Sequence, residues 1–315
     1  MGLFRRLRVQ ALPDVATAMT ACTIAIECDN LQRSELGRAR RMACVLREEM
    51  AACEARGGPV QLLVLYDPGQ VARSQPDGVL ADAGFGPSQR EAALVEAPGL
   101  RYYDLKNHAA TLAVHGVLVF VDCDVVPERG WLTALLAPLA DPNVAAVAGN
   151  SYIQPTGWYR RSVAAFWFFP PRSAPEEAAS DTNRFFANNV AFRTEVFRAH
   201  GFPRQARFRG QCAALGDALE SAGLRIRTQP HSRVEHPPPN GVGHFLARAI
   251  AAGSDSLGTR RAWRRLRKRI RQRRHALQMT PAQVFVAYAV AGVYALGMHV
   301  GKRVDRGVVE RWFPI

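Results

Sequence analysis

Short apolar runs rich in β-branched residues alternate along this chain with longer stretches whose apolar positions recur every three or four residues. "CTIAIE" (22–27), "VQLLVLYD" (60–67) and "VLVFVDCD" (117–124) have the length and make-up of buried strands. Between the first two, "SELGRARRMACVLREEMAACEA" (34–55) carries Leu36, Met42, Leu46 and Met50 near helical spacing, and "KNHAATLAVHG" (106–116) reads as a further helix. Residues 68–98 are rich in Gly and Pro and read as irregular. The alternation predicts an α/β fold, a mostly parallel sheet flanked by helices on both faces. Ligands of such sheets bind beyond the carboxyl ends of the strands. Glu27, Asp67, Asp122 and Asp124 all stand at such ends and are expected to converge on one crevice.

Past residue 126 the pattern loosens. "GWLTALLAPLA" reads as a helix, "VAAVAGNSYI" as a strand, and "RSVAAFWFFPPRS" as an aromatic-rich segment whose Phe166, Trp167, Phe168 and Phe169, with Trp158, form either a stacking wall or core. The polar loop "APEEAASDTNR" follows, then a helix "CAALGDALESAGLRI" and a strand-like "RTQPHSRVEH". Near the C-terminus the character changes. Trp263, Leu266 and Ile270 line one face of a helix whose other faces are cationic, the pattern of a helix in a membrane interface. From Ala276 to Gly301 there is no Asp, Glu, Lys or Arg and His299 is the one histidine, and "VFVAYAVAGVYALGMHV" stands at the short end of what crosses a bilayer. Ala287, Ala291 and Ala295 make a small-residue face suited to close helix packing, including a homodimer contact.

These readings divide the chain into an extension (1–20), two halves of one α/β unit (21–125 and 126–258), a basic amphipathic helix (259–275), a hydrophobic membrane-associated helix (276–301) and a tail (302–315). The N-terminal 30 residues begin basic and then turn apolar, yet Asp14 interrupts them and the apolar part runs into Glu27, so "CTIAIE" reads as a first strand rather than an export signal. In 315 residues, 48% hydrophobic and 22% charged is ordinary for a globular protein. The net charge of +14 is unevenly spread, because ten Lys or Arg and no acid fall between Arg260 and Arg274. That block calls for an anionic partner, a membrane surface or a nucleic acid. The six cysteines show no C-x-x-C and no Cys/His ligand spacing, which argues for reduced thiols and against zinc.

Two carboxylates at the lip of a buried strand need a reason. Residues i and i+2 of a strand face the same way, so Asp122 and Asp124 can share a cation while Cys123 points into the opposite layer. Carboxylates this close repel each other, and a divalent cation compensates them; hard oxygen ligands suit Mg²⁺ or Mn²⁺. A capped strand end would look the same.

The order of motifs resembles a known family. "DLKNHAATLAVHGVLVFVDCDVVPERGWL" is similar to the nucleotide-sugar core of family-2 glycosyltransferases, which have the GT-A fold. "FFANNVAFRTEVFRAHGFP" is similar to their acceptor-side segment, and "LESAGLRIRTQPHSRVEH" to their closing helix, strand and terminal His. The resemblance spans roughly residues 21 to 255. It implies a metal-dependent transfer from a nucleotide-sugar, UDP-linked, to an envelope glycan or lipid-linked acceptor; the basic residues flanking the hydrophobic helix place the catalytic unit on the cytoplasmic face of a membrane. It implies that Glu27 and Asn30 line the base and ribose pocket, that Asp67 contacts the base, that Lys106 and Asn107 lie near the nucleotide, and that Arg248 contacts the diphosphate. Asp122 would touch ribose or metal, Asp124 metal and diphosphate, and His236 would be a late metal ligand.

The chain also departs from the family. The Glu-Asp pair that supplies the base aligns with Gln211 and Cys212. That leaves Asp181 in the polar loop, Cys212 with a lowered pKa, or Asp217 five residues along the helix as candidate bases, or a degenerate relative that binds without catalysis. The Gln-x-x-Arg-Trp motif of processive members is absent, which points to single additions rather than polymerisation; that the transfer inverts is what the resemblance implies. Two further classes are weighed. A nucleic-acid binder fits the charge but shows no recognition motif. A nucleotidyltransferase would need a Gly-rich loop, and "IECDNLQRSE" has no Gly.

Overall fold

Strand β1 (Cys22–Glu27) is buried at every position, so both faces carry apolar side chains and the run is continuous rather than alternating. In this computed structural model, which describes residues 20–29, 31, 36–86, 92–174, 178–204, 210–254, 259–305 and 308, it is followed by α1 (Leu36–Glu54), β2 (Val60–Tyr66), α2 (Ser74–Asp82), β3 (Ala92–Glu96), α3 (Tyr102–Leu112), β4 (Val117–Asp122), the two-residue β5 (Val126–Pro127), α4 (Trp131–Leu136) and β6 (Val144–Tyr152). The second half adds α5 (Gly157–Phe166), β7 (Asp181–Thr182), β8 (Asn189–Arg193), α6 (Thr194–His200), α7 (Gln211–Ser221), β9 (Arg225–Glu235), α8 (Gly241–Ser254), α9 (Thr259–Arg273) and α10 (Pro281–Gly301).

Among the described residues the strands form one sheet in the order β3-β2-β1-β4-β8-β6-β9-β5, with β7 also pairing β9. β1, β2, β3, β4, β6 and β9 share a direction; β8 runs against β4 and β6, and β5 and β7 run against β9. The sheet is therefore mixed, with a parallel run at one edge. In register, Glu27 lies level with Leu65 and Asp122, so the carboxyl ends of β1, β2 and β4 finish side by side.

Alternate residues face opposite layers. Ile24, Ile26, Val64, Val119 and Val121 pack under α1, α2 and α4, while Ala25, Leu63, Leu65, Leu118 and Phe120 pack under α3, α6 and α7. α2 and β3 occupy the stretch that the sequence reads as irregular. α2 contains both Pro76 and Gly78 and buries few apolar residues, and β3 is an edge strand with no fully buried position, so neither prints a strong pattern.

A third cluster joins α5 to the C-terminal helices. Here the structure revises the expectation for α9. Leu266 and Ile270 are buried in this cluster and Trp263 packs against it, so the apolar stripe faces the protein rather than a bilayer. Arg273 Nη1 donates to the carbonyls of Ala164, Trp167 and Phe169 at 3.0, 2.7 and 3.0 Å, and Arg269 Nη1 donates to that of Phe166 at 3.3 Å. These bonds satisfy the open carbonyls at the C-terminus of α5. Burial, and then the neighbouring Arg269, bring the Arg273 pKa down to about 10, so it stays charged at neutral pH.

α10 opens with a capping box, Thr280 accepting from the Gln283 amide while the Gln283 side chain accepts from that of Thr280, and with Pro281 in the first turn. Its small-residue face is used within the chain. Ala287 and Ala291 are fully buried, and side chains added at Gly253, Gly297 or Gly301 would strike the Met298 carbonyl, Ala249 and the Ile250 carbonyl. That close α8–α10 crossing occupies the surface expected to serve a homodimer.

Candidate active site

The rim formed by β1, β2 and β4 collects acids that the protein interior can hold only with partners. Asp122, the last residue of β4, is buried; its Oδ1 accepts from Lys106 Nζ at 2.7 Å, and both oxygens lie 2.9 Å from the Tyr102 hydroxyl. Lys106 and Tyr102 both come from α3, which packs on the second face of the sheet and delivers its first turns to the strand ends. The Lys106 ammonium also lies over the Tyr102 ring, 4.6 Å from its centroid. Glu27, level with Asp122, is 1% exposed. Its Oε2 accepts from the Asp29 amide at 2.9 Å, and its Oε1 has no hydrogen-bond partner among the described residues. Burial, reinforced by the Asp122 charge, pushes the Glu27 carboxyl well above its ordinary pKa, and Lys106 opposes that push.

Asp124 lies two residues past the end of β4 and is also buried, with its Oδ1 unpartnered among the described residues. Burial raises its pKa; the charges of Arg38 and Arg248 pull the other way. Arg248, on α8, thus comes into electrical reach of the acid pair from the far half of the chain.

Sequence reading overlooked Arg38, which organises this corner. It sits on the inward stripe of α1, one turn before Met42, and is 3% exposed. Nε donates to the Asp124 carbonyl at 2.6 Å, Nη1 to Glu235 Oε1 at 3.0 Å and Nη2 to the Glu235 carbonyl at 2.6 Å. One guanidinium therefore ties the Asp122–Asp124 turn to the end of β9. A basic residue among the apolar positions of that stripe, which also holds the buried Glu49, was the available signal. Arg160 reaches Glu235 as well, at 3.4 Å.

His236 follows directly. Its amide donates to the Tyr152 carbonyl at 2.8 Å, its ring lies 4.5 Å from that of Phe169, and Nδ1 is 2.6 Å from the Pro237 carbonyl. A carbonyl only accepts, so Nδ1 carries the proton there and Nε2 keeps its lone pair, the arrangement that suits an imidazole to ligate a metal. Burial holds the ring neutral, with a pKa of about 4, against the pull of nearby Asp122.

Asp67 is buried just past β2, its Oδ1 accepting from the Gly69 amide at 3.0 Å. Asn107 is directed elsewhere: its amide brackets the Phe202 backbone, donating to the carbonyl at 2.9 Å and accepting from the amide at 2.8 Å, so it fastens the turn after α6 rather than a nucleotide. Asn30 lies outside the described residues.

The three candidate bases do not gather at the rim. Asp181 pairs with Arg225 and Arg227 at 3.2 and 3.6 Å, opposite Arg227 of β9; β9 bulges between Gln229 and Arg233, and on its partner β6 the span from Val147, level with Arg227, to Tyr152, level with Glu235, is roughly 17 Å at strand rise. Asp217 faces outward, paired with Arg184 at 3.2 Å and Asn183 at 3.3 Å. Cys212 is near the site, 3.5 Å from the Tyr103 hydroxyl, but burial raises its pKa, so at neutral pH it is a thiol and not a base.

Among the described residues no three His, Cys, Asp or Glu side chains gather closely enough to hold a metal by themselves. The open, buried Asp124 oxygen is a hard donor, and a cation bound largely through substrate phosphates and water needs few protein ligands. The residues present fit such an ion, with Asp124 rather than Asp122 as its anchor, since Lys106 and Tyr102 already satisfy Asp122.

No family model matches the chain. A pre-mycofactocin glycosyltransferase of Mycobacterium tuberculosis, in strains CDC 1551 / Oshkosh and H37Rv, is 28% identical over 156 residues, 48% of this chain and 33% of the relative. The chain thus spans about a third of the length of the curated relatives it matches. Among solved structures, the mannosyltransferase PcManGT from Pyrobaculum calidifontis, in complex with GDP-Man and Mn²⁺, superposes with a TM-score of 0.58 at 18% identity, covering 94% of this chain and 90% of that one. The fold is that of a GT-A glycosyltransferase, and the sequence shared across 48% of the chain is with a glycosyltransferase.

Proposed function

We propose that this chain transfers a sugar from a nucleoside-diphosphate sugar to an acceptor hydroxyl, using Mn²⁺ or Mg²⁺ at Asp124. The buried Oδ1 of Asp124, two residues past β4 and unpartnered among the described residues, carries the reading: a native fold leaves such an oxygen bare at a cost of about 1–3 kcal/mol unless a ligand completes it. Asp124, and His236 through Nε2, would hold the cation beside the donor's diphosphate oxygens. Bound there, the metal supplies charge stabilisation to the departing diphosphate. Arg248 adds a positive charge on the same side, and Glu27 and Asp67 line the base and ribose region. Residues 21–125 form the donor half and 126–258 the acceptor half. With Cys212 protonated and Asp181 and Asp217 held elsewhere, the chain's own contribution lies on the leaving-group side of a single, inverting transfer. UDP is the donor nucleotide expected from sequence; the solved mannosyltransferase binds GDP-Man. An envelope glycan or lipid-linked acceptor at the cytoplasmic face of a membrane fits the basic C-terminal region. The protonated Cys212 favours one second reading, a relative that binds donor without turning it over.

Thermal-shift panels of UDP-, GDP- and dTDP-sugars with and without Mn²⁺ test the proposal. One donor class should stabilise the chain only with metal and then be hydrolysed or transferred. Asp124→Ala should abolish both effects with the fold intact. Metal-dependent binding without turnover would select the second reading, and a full shift in Asp124→Ala would overturn both.

A further inference from the structure

We infer that the C-terminal helices seat this chain on an anionic lipid surface with α10 lying in the plane of the interface rather than crossing it. A membrane partner belongs to the reading above; the surface and its depth are added here.

The inner side of α10 is sealed to the protein. Beyond the close crossing with α8, the Tyr294 ring lies 5.3, 5.4 and 5.9 Å from the rings of Trp167, Phe245 and Phe166. A helix withdrawn to span a bilayer would open this whole cluster to water. Arg269 and Arg273, bonded to the end of α5, fix α9 in the same body.

The outer side of α10 is an apolar stripe. Phe285, Val293, Leu296 and Val300 are 74, 48, 62 and 42% exposed, and Ala289 is exposed between them. Offsets of 4, 8, 11 and 15 residues keep these five within an arc of about 80° along roughly 22 Å of helix. Among the described residues nothing covers that stripe. Beside it, α9 exposes Arg261, Arg264, Arg265, Arg267, Lys268 and Arg271, and no acid occurs from Thr259 to Val304. An apolar stripe adjoining a cation-dense, acid-free helix matches headgroup phosphates over an acyl boundary. A nucleic acid would meet the cations but leave the stripe in water.

The full chain should float with vesicles of phosphatidylcholine mixed with phosphatidylglycerol and much less with phosphatidylcholine alone. Each cation near an anionic surface is worth about fivefold in partitioning, so Arg264→Glu/Arg267→Glu/Lys268→Glu should lower it by about a hundredfold or more. Phe285→Ser/Leu296→Ser should lower it at every salt concentration. In a Cys44→Ser background, Ala282→Cys and Lys302→Cys should react alike with a membrane-impermeant maleimide, in intact cells and after lysis. Reaction at one position and not the other means a spanning helix and overturns the inference. Equal flotation on both vesicle types overturns it too, as does retention by nucleic acid without vesicle binding, or a dimer that Leu296→Ser dissociates. None of these outcomes depends on turnover, so they stand apart from the proposed chemistry.

Discussion

Replacing Lys106 with Met asks why acids can crowd together at this rim. Lys106 is 1% exposed, its Nζ is 2.7 Å from Asp122 Oδ1, and it is the cation that offsets the raised pKa of Glu27. Met is close to Lys in length and keeps the contact with the Phe120 ring while removing the charge. Removing one partner of a buried ion pair costs about 3–5 kcal/mol. The Tyr102 hydroxyl still reaches Asp122, so a loss near the lower end, about 3 kcal/mol, is expected in urea unfolding at constant m-value. The pH dependence has a definite sign. Glu27 has a folded pKa above its unfolded value, so it takes up a proton on folding; its contribution is full at low pH and is lost as pH rises through the folded pKa. Without Lys106 that pKa climbs further, and the loss continues to higher pH. The deficit of Lys106→Met should therefore widen as pH rises from mildly acidic to mildly alkaline. Adding Asp122→Asn should recover most of it, because two neutral groups no longer need each other's charge. A deficit below about 1 kcal/mol, a deficit that shrinks with rising pH, or no recovery in the double variant would refute the electrostatic account.

Gly253→Ala should destabilise the chain by about 1–3 kcal/mol, since its new methyl would strike the Met298 carbonyl where α8 crosses α10. Gly292→Ala, with open space around it, should instead gain up to about 1 kcal/mol; equal responses in chemical denaturation would show that the crossing is looser than described. Arg38→Lys, which keeps the charge but not the three-pronged reach to Asp124 and Glu235, should raise the Mn²⁺ needed for half-maximal nucleotide binding about tenfold. A calorimetric titration unchanged in metal demand, alongside lowered stability, would make Arg38 purely structural.

The first half of the fold was legible because its strands are buried on both faces and its helices on one, so composition and period change visibly at each boundary. β1, α1, β2 and β4 fall within a few residues of the pattern. α2 and β3 were not, because an edge strand and a helix holding Pro76 and Gly78 bury too little to stamp a period. The acids of the site were legible for the same reason as the strands: a charge that ends an apolar run stands out. Arg38 and Tyr102 were not, since nothing local says that a helix residue reaches a strand end more than 80 positions away or, for Tyr102, 20 away. The apolar stripe of α9 was legible as a stripe, but a sequence does not say whether lipid or protein covers it. Here the answer came from α5, whose terminal carbonyls needed the arginines of that same helix.

The pairing state of the rim argues for one ligand rather than two. Asp122 is satisfied by Lys106 and Tyr102, and the Asp124 carbonyl by Arg38. Among the described residues of the rim, what remains bare is one oxygen of Glu27 and one of Asp124. The two differ in what they can accept. Glu27, whose pKa burial and Asp122 raise, suits a hydroxyl partner, with which it can exchange hydrogen bonds in either protonation state. Asp124, whose pKa burial also raises, has the charges of Arg38 and Arg248 opposing that rise, and its bare carboxylate oxygen is a hard donor that suits a cation. Glu27 lies level with Asp122, and Asp124 follows two residues on, so the two needs sit one strand apart on the same edge. A nucleotide bearing a ribose hydroxyl at one end and a metal-bound diphosphate at the other meets both at once, whereas a free metal ion meets only the second. Mn²⁺ and nucleotide should accordingly bind with mutual enhancement, each tightening the other by the same factor.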